Sequence, residues 1–183
     1  MKTKLLIQAF IISESLFFIT LILAYVYYGI YETTGPASVQ SLEPETTGFF
    51  SLFLLASSIT MMMGRRGFVN NRYTALKAWL GGTIVLGGIF LYGQASEYVK
   101  LYGEEVTISR NIFGSNFFIL TGFHGLHVIL GLIVLCIILS LVSFGDTRKI
   151  SVTAIESAEI YWHFVDAVWI VVFTVVYLIP LLI

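Results

Sequence analysis

The sequence predicts an all-α fold, a polytopic bundle of five membrane-spanning helices, and three observations predict it. Of 183 residues, 57% are hydrophobic and only 11% charged, whereas a soluble domain carries about 25% charged residues. The few charges bracket long apolar runs instead of being scattered. These runs are continuously apolar and lack the alternation of barrel strands. A net charge of −1 offers no basic field to a polyanion, which excludes nucleic-acid binding. One cysteine, Cys136, excludes an internal disulfide and any cysteine-held metal cluster, and in its apolar run it reads as a small hydrophobe.

A helix crosses roughly 30 Å of hydrocarbon with about 20 apolar residues. The first candidate span, 5–31, follows Lys2 and Lys4 and contains one charge, Glu14. Its apolar run is about twice the usual h-region and has no small-x-small cleavage site, so a retained helix is expected rather than a cleaved signal. The second, 46–64, lies after Glu45 and before Arg65. Gly35-Pro36, Pro44 and Thr46-Thr47-Gly48 carry the turn signals of the first loop. The third span, 75–96, contains Gly81, Gly82, Gly87 and Gly88, and the fourth, 112–144, contains Gly122, Gly125 and Gly131; such small residues permit close helix contact. The run from Arg110 to Asp146 is overlong, so its polar start from Asn111 to Asn116 is expected at the interface or in a tilted segment. The fifth span, 158–182, holds Asp166. No loop has room for a soluble domain, so residues 1–183 are expected to form one domain.

Lys and Arg divide unevenly between the two sides. Lys2, Lys4, Arg65, Arg66, Arg72, Lys77, Arg148 and Lys149 fall on one side, and only Lys100 and Arg110 on the other. This places the N-terminus in the cytoplasm and the C-terminus on the outer side.

Ionisable residues at membrane depth are costly and point to function. Glu14, about nine residues into the first helix, is a candidate for proton handling; a packed, hydrogen-bonded glutamate is the alternative. His124 and His127, three apart, lie on neighbouring parts of one helical face, and His163 and Asp166 repeat the spacing. Haem ligation needs two histidines facing each other at one depth. His163 lies one turn inside its cytoplasmic helix end, while His127 lies about 27 Å from the end of its run. Interhelical hydrogen bonding is therefore the better reading, and Glu97, His124, His127, Glu156, His163 and Asp166 form a candidate structural polar network. Met61-Met62-Met63 reads as lipid-facing packing rather than a copper site, and Tyr25, Tyr27, Tyr28, Tyr31, Tyr161 and Trp162 as an interfacial aromatic belt. No nucleophile–base pair, P-loop or dinucleotide fingerprint is present, so no catalytic, cofactor-binding or metal residue is assigned.

Several motifs carry a resemblance. Gly114-Ser115-Asn116-Phe117-Phe118 precedes Thr121-Gly122-Phe123-His124-Gly125-Leu126-His127-Val128 and Gly131, and Glu156 precedes Tyr161-Trp162-His163-Phe164-Val165-Asp166-x-Val168-Trp169. Ser13-Glu14-x-x-Phe17-Phe18, Ser57-Ser58-Ile59-Thr60 and Gln94-x-x-Glu97-Tyr98 add weaker matches. In this order they resemble subunit III of the haem-copper terminal oxidases, the cytochrome c and quinol oxidases, over essentially the whole chain.

The resemblance implies a non-catalytic accessory subunit of a proton-pumping complex in aerobic respiration. Such a chain packs on subunit I beside subunit II, supports proton uptake and complex stability, and binds phospholipid. It binds no cofactor itself; haems and copper sit in the partner subunits. Three histidines and one cysteine agree with this, because the family's catalytic chain needs six histidines and its dinuclear copper centre two cysteines. The sequence begins at what would be the third helix of seven-helix members, like the five-helix bacterial forms, and lacks the basic residue that some members place near the end of the fourth helix. A bacterial cytoplasmic (inner) membrane and a place in a larger respiratory supercomplex follow as expectations. Two readings of other classes stand beside it: an independent haem-b electron-transfer protein, and a small ion carrier built on Glu14 and Asp166.

Overall fold

A computed structural model describes residues 2–31, 42–103, 112–145 and 151–182. They form helices α1 (Lys2–Tyr31), α2 (Pro44–Val69), α3 (Tyr73–Gly103), α4 (Ile112–Phe144) and α5 (Val152–Phe173). The chain then runs through a π-helical turn (Thr174–Leu178) into a last helical turn, α6 (Ile179–Leu182). Among the described residues there is no strand, and five helices are long and apolar enough to cross a membrane.

Four of the five spanning helices outrun the segments that announced them, whereas α4 keeps the expected bounds of 112–144. α2 starts at Pro44, which at the first helical position lacks only an N–H that would be unpaired anyway. Thr46, Thr47 and Gly48 are thus helical and not part of a loop. The helix then continues past Gly64 and carries Arg65 and Arg66. α5 starts at Ser151, whose hydroxyl accepts from the Ala154 N–H at 3.1 Å, two turns before its apolar run. α4, with 33 residues, is about 50 Å long and exceeds the hydrocarbon thickness. Arg148 and Lys149 lie outside the described residues.

Only Asn70, Asn71 and Arg72 separate α2 from α3. Asn71 takes φ 56°, a left-handed conformation that Asn tolerates better than most residues. The Arg72 N–H donates to the Gly67 carbonyl at 2.8 Å. A Cβ on Gly67 would stand 3.0 Å from the Leu76 nitrogen, so its absence allows the tight reversal.

α2, α3, α4 and α5 close a ring in which each packs on the next and α2 meets α5; α1 docks outside, on α4 and α5. Trp162 is the centre of this ring. It is fully buried, and its indole fits against Gly87 of α3 and Gly131 of α4, where an added Cβ would stand 3.0 and 2.8 Å from the ring. The indole N–H donates to the Ser57 hydroxyl of α2 at 2.9 Å. Two turns along α5, Trp169 donates to Ser51 of α2 at 2.8 Å. Trp162 therefore leaves the expected interfacial belt, because the ring has a closed interior that large side chains fill; Tyr25 of α1 is buried as well. Met61 is likewise buried, while Met62 and Met63 face outward. Gly125 admits Gln94 of α3, whereas Gly81 and Gly88 meet nothing within 4 Å. Cys136 is exposed on the outer face of α4.

Candidate functional site: a divided set of buried polar groups

The seven polar residues singled out in the sequence separate into four groups along the bundle. The first joins α1 to α4. His127 Nδ1 lies 2.7 Å from the Phe123 carbonyl, an acceptor, so Nδ1 carries a hydrogen. His127 Nε2 lies 3.1 Å from Glu14 Oε2. The edge therefore holds one transferable proton, either on the carboxyl or on the imidazole. Phe18 packs edge-on against the His127 ring, and Phe17 does the same against Phe123. The two motif stretches of α1 and α4 are thus the two halves of one contact. Tyr161 of α5 secures it by donating to the His127 carbonyl at 3.0 Å.

His124, three residues earlier, turns the other way. It is fully buried, stacks on Trp169 with centroids 4.7 Å apart, and meets Phe90 edge-on at 5.8 Å. Neither ring nitrogen has a hydrogen-bond partner among the described residues. With Phe90 nearly perpendicular, an N–H directed at its π face would satisfy the donor of the neutral ring. The spacing of three residues predicts a shared face, yet about 60° of rotation separates the rings. At the crowded junction of α4 with α1, α3 and α5 that rotation assigns them to different neighbours.

The third group lies on the α2–α5 seam. Ser58 contacts both His163 Nδ1, at 2.8 Å, and Asp166 Oδ2. His163 Nε2 faces Glu159 at 4.0 Å, and Arg65 pairs with Glu159 and with Glu156, each at 3.2 Å. Arg65 thus takes part in the helix contact rather than in a loop.

The fourth group is at the opposite end. Glu97 of α3 accepts from Thr47 of α2 at 3.0 Å and from Tyr177 of the π-helical turn at 2.8 Å. Glu43, Thr46 and Lys100 line a cavity of about 140 Å³ beside it. The Glu43 carboxyl, exposed before α2, is held below its ordinary range by hydrogen bonding to Lys100 and Thr46 and by the Lys100 charge. Below this level, Gln94 donates to the Thr121 carbonyl at 2.8 Å, and Tyr98 shares a 2.7 Å contact with the Thr121 hydroxyl.

Sequence reasoning missed Ser51, Ser57, Ser58, Thr47 and Tyr177 as partners. One signal was available: Ser51 and Ser58 recur seven residues apart on α2, as Trp162 and Trp169 do on α5, yet the acceptor of the Trp162 N–H is the neighbouring Ser57. Nothing in the sequence announces the π turn that aims Tyr177 at Glu97. Among the described residues no group of three His, Cys, Asp or Glu side chains is arranged to hold a metal ion.

Comparison with known proteins follows this architecture. The family model for cytochrome c oxidase subunit III matches residues 2–180. A cytochrome c oxidase subunit 3 from Synechocystis sp. is 40% identical over 171 residues, covering 92% of this chain and 72% of that protein. One from Thermostichus vulcanus is 36% identical over 172 residues, covering 92% and 83%. One from Corynebacterium diphtheriae is 38% identical over 129 residues, covering 70% of this chain and 63% of that protein.

Proposed function

Because the chain belongs to the cytochrome c oxidase subunit III family, we propose that it is a non-catalytic accessory subunit of a bacterial respiratory oxidase. It packs on the catalytic subunit I, in a complex that includes subunit II and bound phospholipid, and supports proton uptake and the stability of the assembly. Haems and copper belong to the partner subunits. The complex sits in the bacterial cytoplasmic membrane with the N-terminus on the cytoplasmic side, a reading supported by the bacterial relatives and by the distribution of Lys and Arg. Their name favours cytochrome c over quinol as electron donor.

One observation carries the accessory reading: all three histidines are engaged within the chain. His127 uses both ring nitrogens, on Phe123 and Glu14. His163 faces Ser58 and Glu159, and His124 is sealed between aromatic rings. His124 is fully buried against Phe90 and Trp169, and haem ligation by His127 or His163 would disturb a helix contact, which weighs against the haem-b alternative. Glu14 remains the candidate for proton handling, now as a pair with His127. Its side chain is 22% exposed at the edge of α1, so the pair reaches the surface of this chain, where a partner helix or lipid would cover it.

Purification through a tag on this chain from native membranes, followed by identification of the companion chains and a haem spectrum, tests the reading. A haem-copper subunit is expected to co-purify in equal amount. A Soret band that stays with the chain once it is separated from all companions would sink the proposal.

A further inference from the structure

The α2–α5 seam contains a file of exchangeable groups, with one 4.0 Å step between Glu159 and His163, that the accessory role above does not use. Glu156 and Arg65 stand at its watery end, where the Arg65 side chain is 41% exposed. Ten residues further along α5, about 15 Å, Asp166 is 5% exposed, and its Oδ1 has no hydrogen-bond partner among the described residues. Between them His163 turns one nitrogen to each side, Nε2 toward Glu159 and Nδ1 toward Ser58. Ser58 donates its single hydroxyl hydrogen to Asp166 Oδ2. It must therefore accept from His163, which places the histidine hydrogen on Nδ1. A buried carboxyl served by one hydroxyl lacks the donors that an isolated anion needs. Among the described residues, the other ionisable groups on the helices packed against α5 include Glu45 and Arg66, which lie in the first and last turns of α2, and several that are held elsewhere. Glu14 and His127 hold each other, His124 lies between aromatic rings, and Arg65 is paired with Glu156 and Glu159.

We infer that the α2–α5 seam is a proton-loading site, in which Asp166 exchanges a proton with water at the Arg65 end through Ser58, His163 and Glu159. A proton taken up by the Glu159 carboxylate moves to His163 Nε2. The ring passes its Nδ1 proton to the Ser58 oxygen as the Ser58 proton moves to Asp166 Oδ2. Glu159 is left ionised, His163 neutral with its hydrogen on Nε2, Ser58 neutral and Asp166 protonated; the reverse sequence unloads the site. The 4.0 Å step from Glu159 to His163 is an ion-pair distance, and a bridging water or rotation of the Glu159 carboxyl closes it.

Infrared spectroscopy of the intact oxidase in the protonated-carboxyl C=O region, with transfer into D₂O, tests this. A band absent from Asp166→Asn is expected to exchange readily in the parent. Its exchange should slow about a hundredfold or more in Ser58→Ala and in His163→Phe, because each breaks the proposed acid–base path. Should Asp166→Asn fail to assemble, the band is assigned by its upward frequency shift in Ser58→Ala, which removes its hydrogen bond. Unaltered exchange in both variants overturns the inference, as does the absence of any band that depends on Asp166 or Ser58.

Discussion

Glu14 of α1 and His127 of α4 meet at 3.1 Å, with the far side of the imidazole fixed by the Phe123 carbonyl at 2.7 Å. The carbonyl determines which nitrogen is free, so the pair has one proton to share between a carboxyl and a ring. An amide at position 14 would keep a hydrogen bond to the ring but could not pass on a proton. Glu14→Gln is therefore expected to leave assembly intact, within the roughly 0.6–2 kcal/mol of an interhelical hydrogen bond, and to lower sustained turnover. Steady-state oxygen consumption across a wide pH range checks it. Turnover equal to the parent at every pH would reduce Glu14 to packing.

The indole of Trp162 separates glycines that matter from glycines that do not. Gly131→Ala places a methyl group 2.8 Å from that ring and 3.2 Å from Tyr161, and overpacking of this kind costs about 1–3 kcal/mol. Gly88→Ala meets nothing within 4 Å and is expected to be neutral or stabilising by up to about 1 kcal/mol. Thermal inactivation of the assembled complex should rank the two in that order.

Ser57→Ala removes the acceptor of the Trp162 N–H in the sealed interior. The orphaned donor is expected to cost about 1–3 kcal/mol. Replacing Trp162 by Phe in the Ser57→Ala background would restore part of that loss if the polar mismatch, and not lost volume, is responsible. A double-mutant cycle on unfolding measures the coupling.

Arg65 is paired with Glu156 and Glu159 near the end of the seam and is 41% exposed. Exposure and ion screening hold such a pair to about 0–1 kcal/mol. The Arg65→Gln effect should therefore be small and shrink further at high salt, whereas that of Glu14→Ala, in a drier contact, should not respond to salt. Melting curves at two ionic strengths distinguish them.

At the opposite end, the Lys100 ammonium and the Thr46 hydroxyl keep the Glu43 carboxyl below the usual carboxylate range. A lowered folded-state value means that the contribution of this pair is present at neutral pH. It is lost only as pH falls through that lowered value. Lys100→Gln is expected to move the Glu43 titration back toward its ordinary position, as followed by NMR with labelled glutamate.

Much of this molecule is legible in one dimension. Apolar run length and charge placement announce five helices, and the stretches around Glu14, His124 and Asp166 mark the segments where helices meet. The helix ends were less legible, because Pro44 and Ser151 extend α2 and α5 beyond the runs; of the charges met on the way Arg65, Glu156 and Glu159 are paired, while Glu45 and Arg66 are exposed. The glycines divide by their neighbours: Gly87 and Gly131 seat Trp162, while Gly81 and Gly88 face open space.

By itself the sequence determined the membrane class, the number of helices and the family, since each depends on composition, run length and ordered motifs along the chain. Only the tertiary structure decided who pairs with whom. Three residues along α4 separate a histidine that shares a proton with Glu14 from one sealed between Trp169 and Phe90. Glu97 finds Tyr177 only because a π turn rotates α5 toward it. Pairing inside a helical bundle depends on rotation about each axis and on the identity of the facing helix, and neither quantity is written in local hydrophobicity.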